Sequence, residues 1–407
     1  MTAPFSDPDT YSSKRPVVRL KPKANARAVR HGFPWVYVDE VVTDRRTKAL
    51  SPGAIAILHD AAQKPLGLVT VNPNSKIFCR MLDRDVDAEI DEAWFSKRLK
   101  KALLARDRLF DTPFYRLIHA EADGLPGVVI DRFDDHYVLQ PNAAWAETLL
   151  TPLVAALVSV TGAKVVLKNA SGRTRTLEGL DEQSEVLLGE APTKALPVPM
   201  NGATYMADLT GGQKTGLYFD QRPNHAFAAN LARDARVLDV FSHVGGFSLA
   251  CLAHGASSAL AVDASQAALD LATEGARAMN VTDRFETRRG DAFDVLAALG
   301  EAGETFDLVV CDPPAFAPSK QALDAGLRAY ERIARLAAPL VAAGGVLGLC
   351  SCSHAADLSA FRAASARGIG RAGRSASVIY TGFAGPDHPQ LPQLAESGYL
   401  KSVFFQM

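Results

Sequence analysis

The sequence of 407 residues has no long uninterrupted apolar run and no marked excess of either charge. Charged or turn residues interrupt every extended hydrophobic stretch, so no membrane-spanning segment and no membrane association are predicted. The N-terminus lacks the apolar core of a signal peptide, which favours a soluble, cytoplasmic protein. Lys and Arg total 44 against 45 Asp and Glu, so no overall positive field indicates a nucleic-acid partner.

Cysteine is scarce and scattered along the chain. The five cysteines are Cys79, Cys251, Cys311, Cys350 and Cys352. They form no CxxC pair and no spacing with histidine that is typical of zinc ligands, so neither a disulfide framework nor a metal site is predicted. Most of them are expected to pack as small hydrophobic side chains.

The order of the predicted elements divides the chain into three domains. Short β-like runs separated by turn residues predict a small β-barrel over residues 14–88. Helical patterns over residues 91–110 and 144–160, mixed with short strands, predict a middle α/β domain over residues 89–200. Strands that alternate with alanine-rich helices predict a doubly wound parallel sheet over residues 201–407.

Seven strands are predicted in the third domain, the last two as an antiparallel pair at the edge of the sheet. They are Val237–Val240, Ala259–Val262, Arg284–Thr287, Leu308–Cys311, Val346–Cys350, Ser377–Gly382 and Tyr399–Phe405. Carboxylates stand at the ends of the first four strands: Asp239, Asp263, Asp291 and Asp312. Because the carboxyl ends of parallel strands meet at one edge of a sheet, these four acids are expected to line one crevice.

A glycine turn follows the first of these strands. Phe241 and Gly245 lie in this turn, where glycine lets the backbone approach a ligand closely. The turn is not a GxGxxG loop, which disfavours a dinucleotide-dependent dehydrogenase and favours a single nucleoside ligand without pyrophosphate. Asp263 is placed to bind ribose hydroxyls, and Asp291 to reach an adenine amino group.

A thiol and a carboxyl group are predicted at two neighbouring strand tips. Cys352 ends the run that begins at Gly345, and Asp312 precedes two prolines at the end of the preceding strand. This pair suits methylation of a pyrimidine at C5, a carbon that becomes nucleophilic only after a thiolate adds to C6. Cys352 is the predicted nucleophile and Asp312 the group that assists at N3 of cytosine, whereas Cys350 lies deeper in the strand.

These motifs resemble those of the class I S-adenosylmethionine-dependent methyltransferases, and most closely the RlmI-type cytosine-5 methyltransferases of large-subunit ribosomal RNA. The resemblance rests on segments in all three predicted domains: Lys21, Gly32, Pro34-Trp35, residues 120–127 and 130–132, Lys214–Arg222, Phe241–Phe247, Asp263–Ser265, Asp312–Phe316 and Ser351–Ser353.

The resemblance implies a PUA-like RNA-binding barrel, an α/β insertion and a Rossmann-like catalytic domain, in that order. It implies S-adenosylmethionine as the cofactor, bound by Gln221, Asp239, Phe241, Gly245, Asp263, Asp291 and Asp312. It also implies RNA as the partner, with large-subunit ribosomal RNA as the expected substrate.

A run of basic residues without acids extends from Lys14 to Arg30. By itself such a run is typical of a solvated arm. Because it leads into the predicted RNA-binding barrel, four of its members are predicted to contact phosphates: Lys21, Lys23, Arg27 and Arg30.

Two other functions remain open at this point. Some guanine methyltransferases of ribosomal RNA have a similar Asp-Pro-Pro-x-Phe motif but have no use for a thiol at Cys352. A non-catalytic RNA-binding or ribosome-assembly factor could keep the same fold, although intact acids at the strand ends and an intact Ser-Cys-Ser motif argue against it.

Overall fold

The computed structural model describes residues 15–211 and 216–407. Lys14, at the predicted start of the barrel and of the basic run, lies outside the described residues. So do Lys214 and Thr215 of the family motif.

The N-terminal part folds as a five-stranded sheet with the order β1-β3-β4-β5-β2. Its elements are β1 (Val17–Arg19), α1 (Ala26–Arg30), β2 (Trp35–Tyr37), α2 (Arg45–Lys48), β3 (Ala54–His59), β4 (Pro65–Val71) and β5 (Ile77–Asp83). A bridge between Leu20 and Val41 joins the segment after β1 to the segment after β2. The two edges of the sheet therefore meet, and the sheet curls into a small barrel around an apolar core.

The middle part is a second five-stranded sheet, with the order β10-β9-β8-β7-β6 and helices packed against it. Its elements are α3 (Glu92–Asp107), β6 (Phe114–His119), β7 (Val128–Phe133), β8 (His136–Pro141), α4 (Ala144–Thr148), α5 (Leu150–Thr161), β9 (Val165–Lys168), α6 (Arg173–Glu178) and β10 (Glu185–Leu188). The single helix predicted over 144–160 is divided in two at Leu149. Pro152 explains the division, because its ring clashes with the carbonyl four residues earlier in a continuous helix.

A two-stranded hairpin of β11 (Leu196–Met200) and β12 (Ala203–Ala207) follows. It straddles the boundary predicted between residues 200 and 201, and its apolar side chains join the same core as the C-terminal sheet. The limits of the three domains stay predictions.

The C-terminal part is a seven-stranded sheet with helices on both faces. Its elements are α7 (Arg222–Asn230), β13 (Arg236–Val240), α8 (Gly246–Ala253), β14 (Ser258–Asp263), α9 (Gln266–Ala278), β15 (Phe285–Arg289), α10 (Ala292–Glu301), β16 (Phe306–Cys311), α11 (Leu323–Ala337), β17 (Val341–Ser351), α12 (Leu358–Arg371), β18 (Ser377–Gly382) and β19 (Lys401–Gln406). Two apolar clusters, one on each face, form its core.

The strand order of this sheet is β15-β14-β13-β16-β17-β19-β18. Strands β13 to β17 are parallel, and β19 is antiparallel to both β17 and β18, so the predicted parallel sheet with an antiparallel edge pair is confirmed. The chain order reverses between β13 and β16. Ligands of open α/β sheets bind at the carboxyl ends of the strands beside such a reversal.

Buried polar contacts join the three parts. Arg80 on β5 forms ion pairs with Glu121 at 2.9 Å and with Glu178 at 3.1 Å, and all three side chains are at most 9% exposed. Arg106 on α3 donates to the carbonyl of Asp387, in the loop between β18 and β19, at 3.1 Å. Removing one partner of a buried ion pair is costly, so these contacts hold the parts in a defined arrangement.

No helix in the described ranges is both long enough and apolar enough to cross a lipid bilayer.

Candidate active site at the carboxyl edge of the sheet

The carboxyl end of β13 carries a buried acid. Asp239 is 0% exposed, and its Oδ2 accepts a hydrogen bond from the backbone N–H of Ser248 in α8 at 2.8 Å. Burial raises the pKa of the Asp239 carboxyl to about 6, and the nearby Asp263 adds to this shift. Gly245 precedes α8 with φ of +81°, a conformation that disfavours any residue with a side chain.

Two buried polar atoms at this turn have no hydrogen-bond partner among the residues described: Asp239 Oδ1 and Ser242 Oγ. Buried polar atoms are nearly always paired, so these two indicate a ligand that carries complementary groups. Phe241 lies beside them, half-buried, and supplies an aromatic surface. The turn therefore fits a nucleoside-like ligand, with polar contacts at one side and apolar contact at the other.

The next two strand tips differ from each other. Asp263 ends β14, and its two oxygens accept the backbone N–H groups of His243 at 2.9 Å and Ser265 at 2.8 Å. It therefore joins the tip of β14 to the turn that carries Asp239. Asp291 is exposed, and its carboxylate caps the first turn of α10. Its predicted contact with an adenine amino group stays a prediction.

Asp312 follows β16 beside the tip of β13. Its backbone N–H donates to the carbonyl of Val240 at 3.1 Å. Burial raises the pKa of the Asp312 carboxyl to about 8, and the carboxylate of Asp220 raises it further, while the nearby side-chain amide of Gln221 offsets part of the shift. The Asp312 carboxyl consequently holds its proton near neutral pH.

Cys352 directly follows β17 and is half-buried. Its Sγ lies 4.0 Å from the carbonyl oxygen of Pro313, the residue after Asp312. The thiol and the Asp-Pro-Pro segment, predicted at neighbouring strand tips, therefore lie side by side. Their catalytic roles stay predictions.

The other four cysteines are buried. Burial raises the pKa of each of their thiols. Cys350 lies in the core of the sheet, where the Ser402 hydroxyl of β19 donates to its Sγ at 3.1 Å. Cys352 is thus the accessible thiol in the part of the chain that the structure describes.

Three further residues at the site were missed in the sequence. The Tyr399 hydroxyl donates to Oδ2 of Asp220 at 2.7 Å. Burial raises the pKa of Tyr218 to about 12, and the acids Asp220 and Asp312 and the Cys352 thiol contribute to the shift, which places Tyr218 among them. Asp220 precedes Gln221 in the family motif, and this position in the sequence could have identified it as a site residue. Tyr399 carried no signal, because only the fold brings it here.

The four predicted RNA-contacting residues are all exposed and lie on or near α1. Lys21 Nζ donates to the carbonyl of Asp39 at 2.8 Å, and Arg30 forms an ion pair with Asp60. Lys23 and Arg27 form no such contact with any residue in the described ranges. Lys23 and Arg27 are therefore more available to bind a partner than Lys21 and Arg30, which already have contacts within the protein.

Comparisons with known proteins agree with this geometry. A family model for S-adenosylmethionine-dependent methyltransferases matches residues 138–394, and one for PUA-like domains matches residues 18–84. The ribosomal RNA large subunit methyltransferase I of Cronobacter sakazakii is 34% identical over 384 residues, which cover 93% of this chain and 96% of the relative. The protein of the same name from Alteromonas mediterranea is 35% identical over 390 residues, which cover 95% and 97%.

Solved structures agree on the fold. A Streptococcus mutans protein described as a SAM-dependent methyltransferase superposes with a TM-score of 0.81 at 18% identity, covering 96% of this chain and all of that one. A methyltransferase structure in complex with SAH gives 0.82 at 19% identity, with the same coverage. With acids at successive strand tips and matches along nearly the whole chain, this protein belongs to the S-adenosylmethionine-dependent methyltransferases, in the family of ribosomal RNA large subunit methyltransferase I.

Proposed function

We propose that this enzyme methylates C5 of a cytosine in large-subunit ribosomal RNA, and that Cys352 adds covalently to C6 of the ring. The observation that carries the proposal is the position of Cys352 Sγ, 4.0 Å from the Pro313 carbonyl and beside Asp312. The names of the relatives and the PUA-like domain support ribosomal RNA as the substrate. The cytoplasmic location predicted from the sequence is part of this proposal.

The chemistry follows from the two side chains. The Cys352 thiolate forms a bond to C6, and the electrons of the C5–C6 double bond move toward C5 and N3, where the protonated Asp312 carboxyl donates. S-adenosylmethionine supplies an electrophilic methyl group attached to a sulfonium. C5 forms a bond to that methyl carbon as the sulfonium–carbon bond breaks. Loss of the C5 proton to a base then restores the double bond and releases the thiolate, and the proton on N3 returns to the Asp312 carboxylate.

A folded RNA hides its bases from such a site. The target cytosine is expected to leave its stack and enter the space between Asp312 and Cys352. Tyr218 lies at this space and is half-buried, so it is placed to contact a base that enters.

The proposal is tested by methylating unmodified large-subunit ribosomal RNA with labelled S-adenosylmethionine and mapping the product by bisulfite sequencing. A single protected cytosine is the expected result. Label that maps to a guanine would favour the guanine methyltransferase alternative. Absence of transfer to RNA, with intact cofactor binding, would favour the non-catalytic assembly factor.

Replacing Asp263 by alanine is expected to weaken S-adenosylmethionine binding about tenfold or more. The carboxylate is the proposed acceptor for the ribose hydroxyls, and losing a charged hydrogen bond costs about 1.5–3 kcal/mol. Calorimetric titration of cofactor alone measures the effect, with the exposed Asp283→Ala as a control for loss of an acid. Equal affinities in Asp263→Ala and the unaltered protein would remove Asp263 from the site.

Replacing both Lys23 and Arg27 by alanine is expected to weaken RNA binding and to make its salt dependence shallower. The negative slope of log affinity against log salt is expected to decrease in magnitude by about 1 to 2. Each phosphate contact that is removed lowers the number of counterions released on binding by about one. Titrations of ribosomal RNA at several salt concentrations measure the slope. The matched control replaces Lys194 and Arg233, exposed basic residues elsewhere in the chain. A slope that falls equally in the control would show a general charge effect and contradict the assignment.

A further inference from the structure

A buried lysine lies on the strand that pairs with the residue before the candidate nucleophile. Lys401 begins β19, pairs in register with Ser351 at the end of β17, and is 4% exposed. Lysine is rarely buried without a partner, since removing an ammonium group from water is costly. No residue in the described ranges forms an ion pair with Lys401, so its ammonium group must be stabilised by other contacts.

The ammonium group of Lys401 is held by backbone carbonyls on two sides. Its Nζ donates to the carbonyl of Ser353 at 2.6 Å and to that of Tyr399 at 3.1 Å. An ammonium group has three donors, so these bonds leave one N–H. The bond to Ser353 fixes the turn that begins at Cys352, and the charge of Lys401 interacts electrostatically with that thiol.

The titratable groups around this turn come from several elements. Cys352 is coupled electrostatically to Lys401, to Tyr330 of α11, to Tyr399 before β19 and to Tyr218. Asp357, which caps α12, also interacts electrostatically with Lys401, and Asp312 precedes Pro313, whose carbonyl lies 4.0 Å from the Cys352 Sγ. Tyrosine and aspartate cannot carry a positive charge. Of the groups named here, Lys401 is therefore the one that can place a positive charge near a thiolate.

We propose that Lys401 is a positioning residue for methyl transfer, whose ammonium group holds the turn at Ser353 and stabilises negative charge on Cys352 Sγ. This inference rests on the proposed function, because it gives a cationic partner to the proposed nucleophile. The attacking thiolate forms while Lys401 is charged, and the same charge favours release of the thiolate when the product leaves.

The pH range follows from the lysine itself. Burial lowers the pKa of Lys401 to about 8, while the charges of Cys352 and Asp357 oppose this shift. Lys401 is therefore charged at neutral pH and loses its charge as the pH rises through about 8. Its support for the thiolate is greatest at neutral pH, where an ordinary thiol is mostly protonated.

The test is the rate at which iodoacetamide alkylates Cys352 in the full chain, measured from pH 5 to 10 without RNA or cofactor. Because the other cysteines are buried, mass spectrometry can follow this one thiol. In the unaltered protein, we expect the rate to reach half its maximum below pH ~8.5, the ordinary thiol value. A midpoint at or above that value would overturn the inference without any variant.

Variants separate charge from hydrogen bonding. Lys401→Gln keeps N–H donors but removes the charge, and we expect its midpoint to move up by one pH unit or more and its methyl transfer at pH 7 to fall tenfold or more. Lys401→Arg keeps the charge and is expected to stay near the unaltered midpoint. Lys100→Gln, at an exposed position on α3, is the control. A Lys401→Gln protein that binds cofactor normally and shows an unaltered alkylation profile would overturn the role of the charge.

These readouts distinguish the two proposals. If Cys352→Ala kept full methyl transfer, the proposed covalent mechanism would fail. The alkylation profiles would still report whether Lys401 acts on the Cys352 thiol.

Discussion

Replacing Cys352 by alanine is expected to lower the rate of RNA methylation by about 10⁴-fold or more, as removal of a covalent nucleophile commonly does. Cofactor binding and RNA binding are expected to persist, because the thiol is half-buried at a strand tip and carries no part of the core. Methyl transfer from labelled S-adenosylmethionine to unmodified ribosomal RNA measures the loss.

A covalent complex provides an independent measurement. In RNA that contains 5-fluorocytosine, the fluorine cannot leave as a cation after methylation, so the bond between Cys352 and C6 persists. The unaltered protein is expected to form a complex that survives denaturing electrophoresis, and Cys352→Ala none.

The matched controls are the neighbouring thiols. Cys350→Ala and Cys311→Ala are expected to keep the covalent complex and to lose only what packing costs, since both residues are buried in the sheet. A complex that disappears in Cys350→Ala and survives in Cys352→Ala would move the nucleophile by two residues. Activity that depends on neither thiol would favour guanine chemistry.

Replacing Asp312 by asparagine is expected to slow methylation by about 10²-fold or more, because general acid assistance is typically worth that much. Asparagine has the same shape but no acidic proton to share with N3 of cytosine. For the same reason, the activity of the unaltered protein is expected to fall as the pH rises above about 8, the pKa to which burial raises the Asp312 carboxyl. Rates measured from pH 6 to 10 at saturating cofactor check both expectations.

The same substitution is expected to raise the free energy of unfolding near neutral pH by at least about 1 kcal/mol, since one unit of pKa shift is worth about 1.4 kcal/mol. Between pH ~4 and 8 the folded protein holds a proton on Asp312 that the unfolded chain has lost, so stability falls as the pH rises. The gain of Asp312→Asn should therefore grow over this range and level off above pH 8. Urea unfolding at several pH values measures it, and parallel curves for the two proteins would contradict the raised pKa.

Most of the catalytic fold could be predicted from local patterns. Apolar runs such as Leu308–Cys311, each ending in a turn and a polar residue, predicted the strands and the edge at which Asp239, Asp263 and Cys352 lie. These strands can be predicted from the sequence because a parallel strand that is buried on both faces is apolar along its whole length. The helix break at Leu149 was less visible, because the apolar pattern continues through it.

Contacts between distant segments could not be predicted in the same way. Asp291 was predicted from its position after a strand, but its carboxylate also caps α10. Lys21 and Arg30 were predicted to contact RNA phosphates, and the sequence did not show that each also has a partner within its own domain. Such partners depend on which loops meet, and a charged side chain gives no sign of that in the sequence.

The sequence by itself determined the parallel sheet, the acids at its carboxyl edge and the thiol beside the Asp-Pro-Pro segment. Only the tertiary structure decided that Lys401 and Tyr399 join this site, because β19 returns antiparallel to β17 and brings them to Ser353 and Asp220. The physical reason is that strand composition reflects burial, which is a local property. Pairing register depends on the packing of whole strands, and it decides which side chains meet.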